Sequence, residues 1–241
     1  GSRGIGRAIA LVFAEAGADV AVSSRRLADL DKVADEVRGL GRKFLAVAAH
    51  GGKPAELDQL VDKVKAEFGR IDILVNNAAA NPVFGPILDL EERAWDMVMD
   101  VNLKGYFLLS RAVAKMMIAR GGGSIINMAS AGGIIPDKGI GAYCVSKAGV
   151  IMLTKVMASE WAQFNIRVNA IAPGVIQTKM SQALWDRPEH YKDVVTRTPL
   201  SRIGQPDEIA GAALYLASGA SSFMTGETLV LDGGASISKG L

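Results

Sequence analysis

Tyr143 and Lys147 stand four residues apart, which on a helix puts both on one face about one turn apart. A phenol ionises near pH 10 and is a poor acid or base at neutral pH. A nearby ammonium favours the phenolate and lowers that value. The pair therefore suits handing a proton to a developing alkoxide, or taking one from an alcohol. The other reading is an exposed helical pair with no chemistry. Ser130 follows the apolar segment Ser124–Met128 and precedes Tyr143. Its hydroxyl is of the kind that donates to a substrate carbonyl oxygen. The other reading is an ordinary strand-end turn serine.

A second group of residues suits phosphate. Gly4-Ile5-Gly6 precedes an apolar helical pattern beginning near Arg7. Glycines there let backbone approach a pyrophosphate, and the helix start adds N–H donors and positive potential. Alone, the motif is equally a tight turn. Ser23-Ser24-Arg25-Arg26 ends the next apolar segment. Dinucleotide folds that take NAD place an acid there for the adenosine ribose, and this chain has none. Arg25 and Arg3 instead offer guanidinium forks for a 2′-phosphate. Asn76-Asn77-Ala78-Ala79 follows the strand-like Ile71–Val75. Its amides can pin a sharp loop against a cofactor, or simply form a turn. No Gly-x-Ser-x-Gly elbow exists, and His50 and His190 lie in no triad spacing, which argues against a serine hydrolase. No metal site is expected.

These residues need elements to position them. Helical periodicity marks Arg7–Ala16, Leu27–Leu40, Pro54–Phe68, Glu91–Arg120, Tyr143–Phe164 and Pro206–Ala217. Short apolar strands read at Asp19–Ser23, Lys43–Ala48, Ile71–Val75, Ser124–Met128, Arg167–Ile171 and Thr228–Leu231. Gly105 is a possible weak point of the longest helix. Strands separated by helices imply parallel pairing with right-handed crossovers. The expected class is α/β, a single doubly wound parallel sheet with helices on both faces. Ligands bind such sheets at the carboxyl ends of strands.

Composition agrees. The 241 residues are 49% hydrophobic and 22% charged, which excludes a disordered or fibrous chain. One domain, 1–241, is expected. The 27 glycines exceed the roughly 7% average without a collagen period, so they belong to turns and ligand loops. A net charge of +2, interspersed, gives no nucleic-acid footprint. No apolar run approaches the ~18 residues of a membrane span. The single Cys144 fits a reducing, cytoplasmic setting.

Taken in order, Ser2-Arg3-Gly4-Ile5-Gly6, Asn76-Asn77-Ala78, Asn102 within Trp95–Asn102, Ser130, Tyr143 with Lys147, Pro173-Gly174 with Thr178, and Gly226-Glu227 with Asp232-Gly233-Gly234 form a pattern. It resembles the short-chain dehydrogenase/reductase family over essentially the whole chain. The resemblance implies a Rossmann-type fold and a tetrad of Asn102, Ser130, Tyr143 and Lys147. Tyr143 would be the general acid/base. Lys147 would lower its pKa and hold the nicotinamide ribose. Asn102 would distort its helix and hold a water linking Lys147 to solvent. The implied cofactor is NADP(H), held by Ser2, Arg3, Gly4, Ile5, Gly6, Ser24, Arg25, Asn77, Ala78, Tyr143, Lys147, Pro173, Gly174, Ile176 and Thr178. Asn76–Gly85 and Leu184-Trp185 look most similar to the NADP-dependent carbonyl and retinal reductases of peroxisomes. The ending Ser238-Lys239-Gly240-Leu241 lacks their Ser-Lys-Leu-type address.

The implied activity is hydride transfer between NADP(H) and a ketone, aldehyde or secondary alcohol. A beta-ketoacyl-carrier-protein reductase and a non-catalytic dinucleotide sensor or scaffold are the alternatives. Residues 177–198, with Met180, Leu184, Trp185 and Tyr191, are expected to form a mobile apolar substrate lid. The family analogy implies a homotetramer through the helices Glu91–Arg120 and Tyr143–Phe164. It also implies a central strand of the sheet before Gly1, between Asp19–Ser23 and Ile71–Val75, in about 8–15 residues. Three departures stand out: Ala79 replaces a usual Gly, His50-Gly51 replaces an adenine-binding Asp, and Cys144, expected to be a small packing residue, follows Tyr143.

Overall fold

The computed structural model describes residues 1–238, so the terminal-address reading, which involves residues 239–241, lies outside the described residues. Six parallel strands form among these residues, as β1 (Val20–Ser24), β2 (Phe44–Ala48), β3 (Ile73–Asn76), β4 (Gly123–Met128), β5 (Ile166–Pro173) and β6 (Thr228–Leu231). Among the described residues eight α-helices accompany them. They are α1 (Gly4–Glu15), α2 (Asp31–Gly39), α3 (Pro54–Phe68), α4 (Glu92–Met99), α5 (Gly105–Ala119), α6 (Gly141–Trp161), α7 (Pro188–Thr196) and α8 (Pro206–Ala217). Helical crossovers are what parallel pairing requires.

The expected single sheet is realised in two hydrogen-bonded parts. One has the order β2-β1 and the other β3-β4-β5-β6. β1 and β3 do not pair with each other. α1 ties the parts together through two apolar stripes. Ile9 and Phe13 join the core of β4, β5 and α8, while Ala10 and Ala14 pack with Val20, Val22 and α2. α3 and α5 cover the opposite face, where Val61, Val113 and Met117 meet Ile125 and Val168. The period of two decides which face each β4 side chain takes: Ile126 and Met128 face α1 and α8, and Ile125 faces α5. Both isoleucines are fully buried, as a sheet covered on both faces demands. No helix among the described residues is long and apolar enough to cross a membrane.

Boundaries follow local chemistry. α3 begins at Pro54, whose missing N–H is no loss in a first turn, and ends before Gly69 at φ +69°. α1 starts at Gly4, inside the glycine motif and ahead of the expected Arg7. The long Glu91–Arg120 helix is interrupted by a π turn at Asp100–Lys104. The interruption falls just before Gly105, whose Cα lies against the Gly51 carbonyl. A methyl at Gly105 would overlap that oxygen, which is backbone and cannot swing aside. Gly105→Ala should therefore destabilise the protein by about 1–3 kcal/mol, lowering the urea midpoint. An unchanged midpoint would show that the β2–α3 turn is free to move.

Candidate active site

The site is assembled where β3, β4 and β5 end. β4 delivers Ser130 to the start of a short turn, and its Oγ accepts from the Gly132 N–H at 3.1 Å. α6 carries Tyr143 and Lys147. The turn after Ser130 lies flat on α6 because Gly133 has no side chain: a Cβ there would stand 2.7 Å from the Lys147 carbonyl carbon. Cys144 Sγ accepts from the Asp137 N–H at 3.5 Å, anchoring the same segment from the buried side of the helix. That matches its expected packing role.

Ser130 and Tyr143 come together beside Gly132, where a Cβ would stand 3.4 Å from Ser130 Oγ and 4.0 Å from Tyr143 Cε1. Burial nevertheless pushes the Tyr143 phenol above its usual value, against the pull of Ser130. Lys147 is not among the groups that act on the phenol here. The Lys147 amine is placed elsewhere: its Nζ donates to the Met128 carbonyl at 2.6 Å and to Tyr106 Oη at 3.4 Å. It lies 5.0 Å from the Tyr106 ring centre and 5.7 Å from that of Tyr143. Lys147 is only 1% exposed. Desolvation pulls its ammonium down to about 7.

Asn102 lies within the π turn, so the expected helix distortion is present at that residue. Its side chain is fully buried and fully used. Oδ1 accepts from Ala80 N–H at 2.7 Å, and Nδ2 donates to Ala80 O and to Ser146 Oγ, both at 3.0 Å. Ser146 Oγ in turn donates to the Tyr143 carbonyl at 2.7 Å. Asn102 thus clamps the loop after β3 to the helix carrying Tyr143. Ser146 was not singled out from sequence. Its signal was a position three after Tyr143, on the same helix face. Asn76 serves structure instead: its Nδ2 donates to Ser110 Oγ at 2.9 Å and to Asn127 Oδ1 at 2.8 Å across the β3–β4 pair.

The glycine motif forms a cradle beside this group. Gly4 has φ +53°, and a Cβ on it would meet Thr178 Cγ2 at 3.0 Å. A Cβ on Gly6 would stand 2.8 Å from Asn77 Nδ2. Thr178 and Asn77 therefore close on bare backbone at the start of α1. Arg3 precedes that helix, and no side chain caps its first N–H groups. Ile5 packs into the core, while Ser2 is half-buried. Ser24 ends β1, with Arg25 exposed beyond it. Among the described residues neither Arg3 nor Arg25 has an ion-pair partner, whereas Arg26 forks Asp29. Ala78 is exposed beside Asn77. Pro173 ends β5, Gly174 packs on the backbone of Asp232, and buried Ile176 bridges to Gly204. These surroundings fit a dinucleotide: backbone without side chains, free N–H donors and unpaired cations.

His50 stays local, its Nδ1 accepting from Gly52 N–H at 3.1 Å in the turn before α3. The expected lid is more ordered than a loop. Residues 182–184 form a 3-10 turn and α7 follows. Ser181 Oγ organises the entry, accepting from Thr178 N–H at 3.2 Å and Trp185 Nε1 at 3.1 Å. Met180, Leu184 and Tyr191 are exposed.

A family model described as "Enoyl-(Acyl carrier protein) reductase" matches residues 1–236. A curated relative, "Dehydrogenase/reductase SDR family member 4" of Oryctolagus cuniculus, is 41% identical over 96% of this chain and 89% of its own. A short-chain type dehydrogenase/reductase from Mycobacterium marinum superposes with TM-score 0.91 at 42% identity, covering 97% of this chain and 92% of that one. A gluconate 5-dehydrogenase from Burkholderia cenocepacia J2315, solved with NADP and tartrate, gives TM-score 0.93 at 38% identity, covering 98% and 92%. The ordered motifs, the parallel sheet and these likenesses agree: the chain belongs to the short-chain dehydrogenase/reductase family of oxidoreductases, which bind a nicotinamide dinucleotide.

Proposed function

We propose that this protein is an NADPH-dependent carbonyl reductase, reversible as an alcohol dehydrogenase. One observation carries the reading: Tyr143 stands beside Ser130, one helical turn from a fully buried Lys147 amine. Ser130 donates to the substrate carbonyl oxygen, and Tyr143 gives its proton to that oxygen as charge develops. A phenol held up by burial stays protonated at neutral pH, which suits it to act as the acid. Lys147 supplies positive charge behind the phenol, and Asn102 positions Tyr143 through Ser146. A nicotinamide dinucleotide held by the glycine cradle would supply the hydride for the carbonyl carbon.

Ser2, Arg3, Gly4, Ile5 and Gly6 would hold the phosphates, with Ser24 and Arg25 at the adenosine ribose. Asn77 and Ala78 would lie under that ribose, and Pro173, Gly174, Ile176 and Thr178 would meet the carboxamide. The two unpaired guanidiniums support NADP over NAD. Residues 177–198 serve as the lid, and its exposed Met180, Leu184 and Tyr191 favour an apolar carbonyl substrate. The whole chain acts as one domain. α5 and α6 expose Phe107, Met152 and Val156 around a groove of about 540 Å³, which supports assembly into a homotetramer. The one cysteine, free and buried, supports a reducing, cytoplasmic setting.

Tyr143→Phe should reduce ketone turnover by about 10²–10⁴-fold while NADPH still binds, measured by absorbance at 340 nm and by calorimetry. Retained turnover would overturn the mechanism. The same assay against ketones, aldehydes, diketones and acyl thioesters, with NADPH or NADH, names the substrate class. Arg25→Ala should raise KM for NADPH about tenfold and leave that for NADH unchanged. Equal effects on both would assign Arg25 a general role.

Lys147 also has a pH signature. Its folded value of about 7 lies below the roughly 10.4 of an unfolded chain. Between these values the unfolded chain holds more protons, so this group makes stability rise with pH across that window. Below about 7 the buried charge costs most. Lys147→Met should therefore gain in stability relative to wild type at pH 6, and the difference should narrow toward pH 10. Urea midpoints across that range check this, and a constant difference would contradict it.

A further inference from the structure

We propose that Tyr106 is a positioning residue for Lys147, its hydroxyl and ring joining the Met128 carbonyl to fix where the amine stands. The proposal rests on the role given to Lys147 above. Tyr106 belongs to none of the motifs read from the sequence. It lies four residues after Asn102, in the first turn of α5, and is 3% exposed. Its ring packs among Ala129, Val150, Ala170 and Ala172. A hydroxyl buried among such residues needs a partner. The partners it has are the Met128 carbonyl at 3.5 Å and Lys147 Nζ at 3.4 Å. One phenol oxygen serves both, donating to the carbonyl and accepting from the amine. The ring meanwhile presents its face to the amine, 5.0 Å from the ring centre.

The titratable groups facing Lys147 are few. α5 contributes Tyr106, α6 itself contributes Tyr143, and β4 contributes only the uncharged Met128 carbonyl. Burial drives Tyr106 well above its usual value, so it stays protonated and neutral. Among the described residues no carboxylate pairs with the ammonium. The Tyr106 oxygen and ring are therefore what favour its charged form on the α5 side. The π turn at Asp100–Lys104 sets the rotation of the start of α5, and with it the direction from which Tyr106 reaches Lys147.

The test is Tyr106→Phe, which keeps the ring and removes the hydroxyl. With lysine labelled at ¹³Cε, the Lys147 titration is followed by NMR and assigned by its absence in Lys147→Met. The midpoint should fall by about one pH unit in Tyr106→Phe, a tenfold change in protonation. The alkaline limb of kcat should move down with it, while KM for the carbonyl changes less than about twofold. Tyr106→Met, which fills similar space without hydroxyl or ring, should displace both at least as far. A Lys147 midpoint and pH profile unchanged in both variants would overturn the proposal. The two readings separate cleanly. An active Lys147→Met would sink the role of Lys147 in catalysis, yet leave the titration result intact. An inactive Lys147→Met with an unmoved midpoint in Tyr106→Phe would sink only the role of Tyr106.

Discussion

A lysine amine with almost no exposed surface governs this site. Charge in a protein interior is costly unless it is hydrogen-bonded, and Lys147 has one short bond, to the Met128 carbonyl at 2.6 Å. That carbonyl belongs to the last residue of β4, so the strand end, the helix α6 and the amine are locked into one arrangement. Ser130 leaves the same strand end two residues later and meets Tyr143 one turn before Lys147. Ser130, Tyr143 and Lys147 are thus positioned by a single strand–helix contact.

Around this contact, small residues let backbone touch backbone. Gly133 lays the Ser130 turn on α6, and Gly105 lets the π-turn region meet Gly51. Asn102 then uses both ends of its amide to bind the loop after β3. The glycine cradle depends on the same economy of volume, with Thr178 and Asn77 closing on Gly4 and Gly6. Segments far apart in sequence are joined there, which is why replacing a glycine in either place disturbs more than its own loop.

Much of this was legible in the residues. Pro54 and Gly69 mark α3 at both ends, and Pro206–Ala217 and Thr228–Leu231 match their elements, because caps and apolar periodicity act locally. The approach of Ser130 to Tyr143 was implied by the family resemblance. Other features depend on tertiary surroundings. The π turn has no residue-type signal of its own, although the family resemblance implied a distorted helix at Asn102 and Gly105 hinted at a break. α7 is short and carries no buried stripe, so periodicity missed it. The pair Tyr143–Lys147 suggested a lowered phenol, but spacing along a helix does not reveal that the amine turns toward Met128 and Tyr106. Nor does spacing reveal that burial then raises the phenol.

The most direct test of the account follows the transferred hydrogen. The protein is given NADPH carrying deuterium at C4 of the nicotinamide and an apolar ketone, and the alcohol is analysed by mass spectrometry. The account predicts one deuterium on the carbinol carbon for each NADPH consumed. An alcohol without label would contradict it, as would the absence of NADPH consumption across ketones, aldehydes and thioesters.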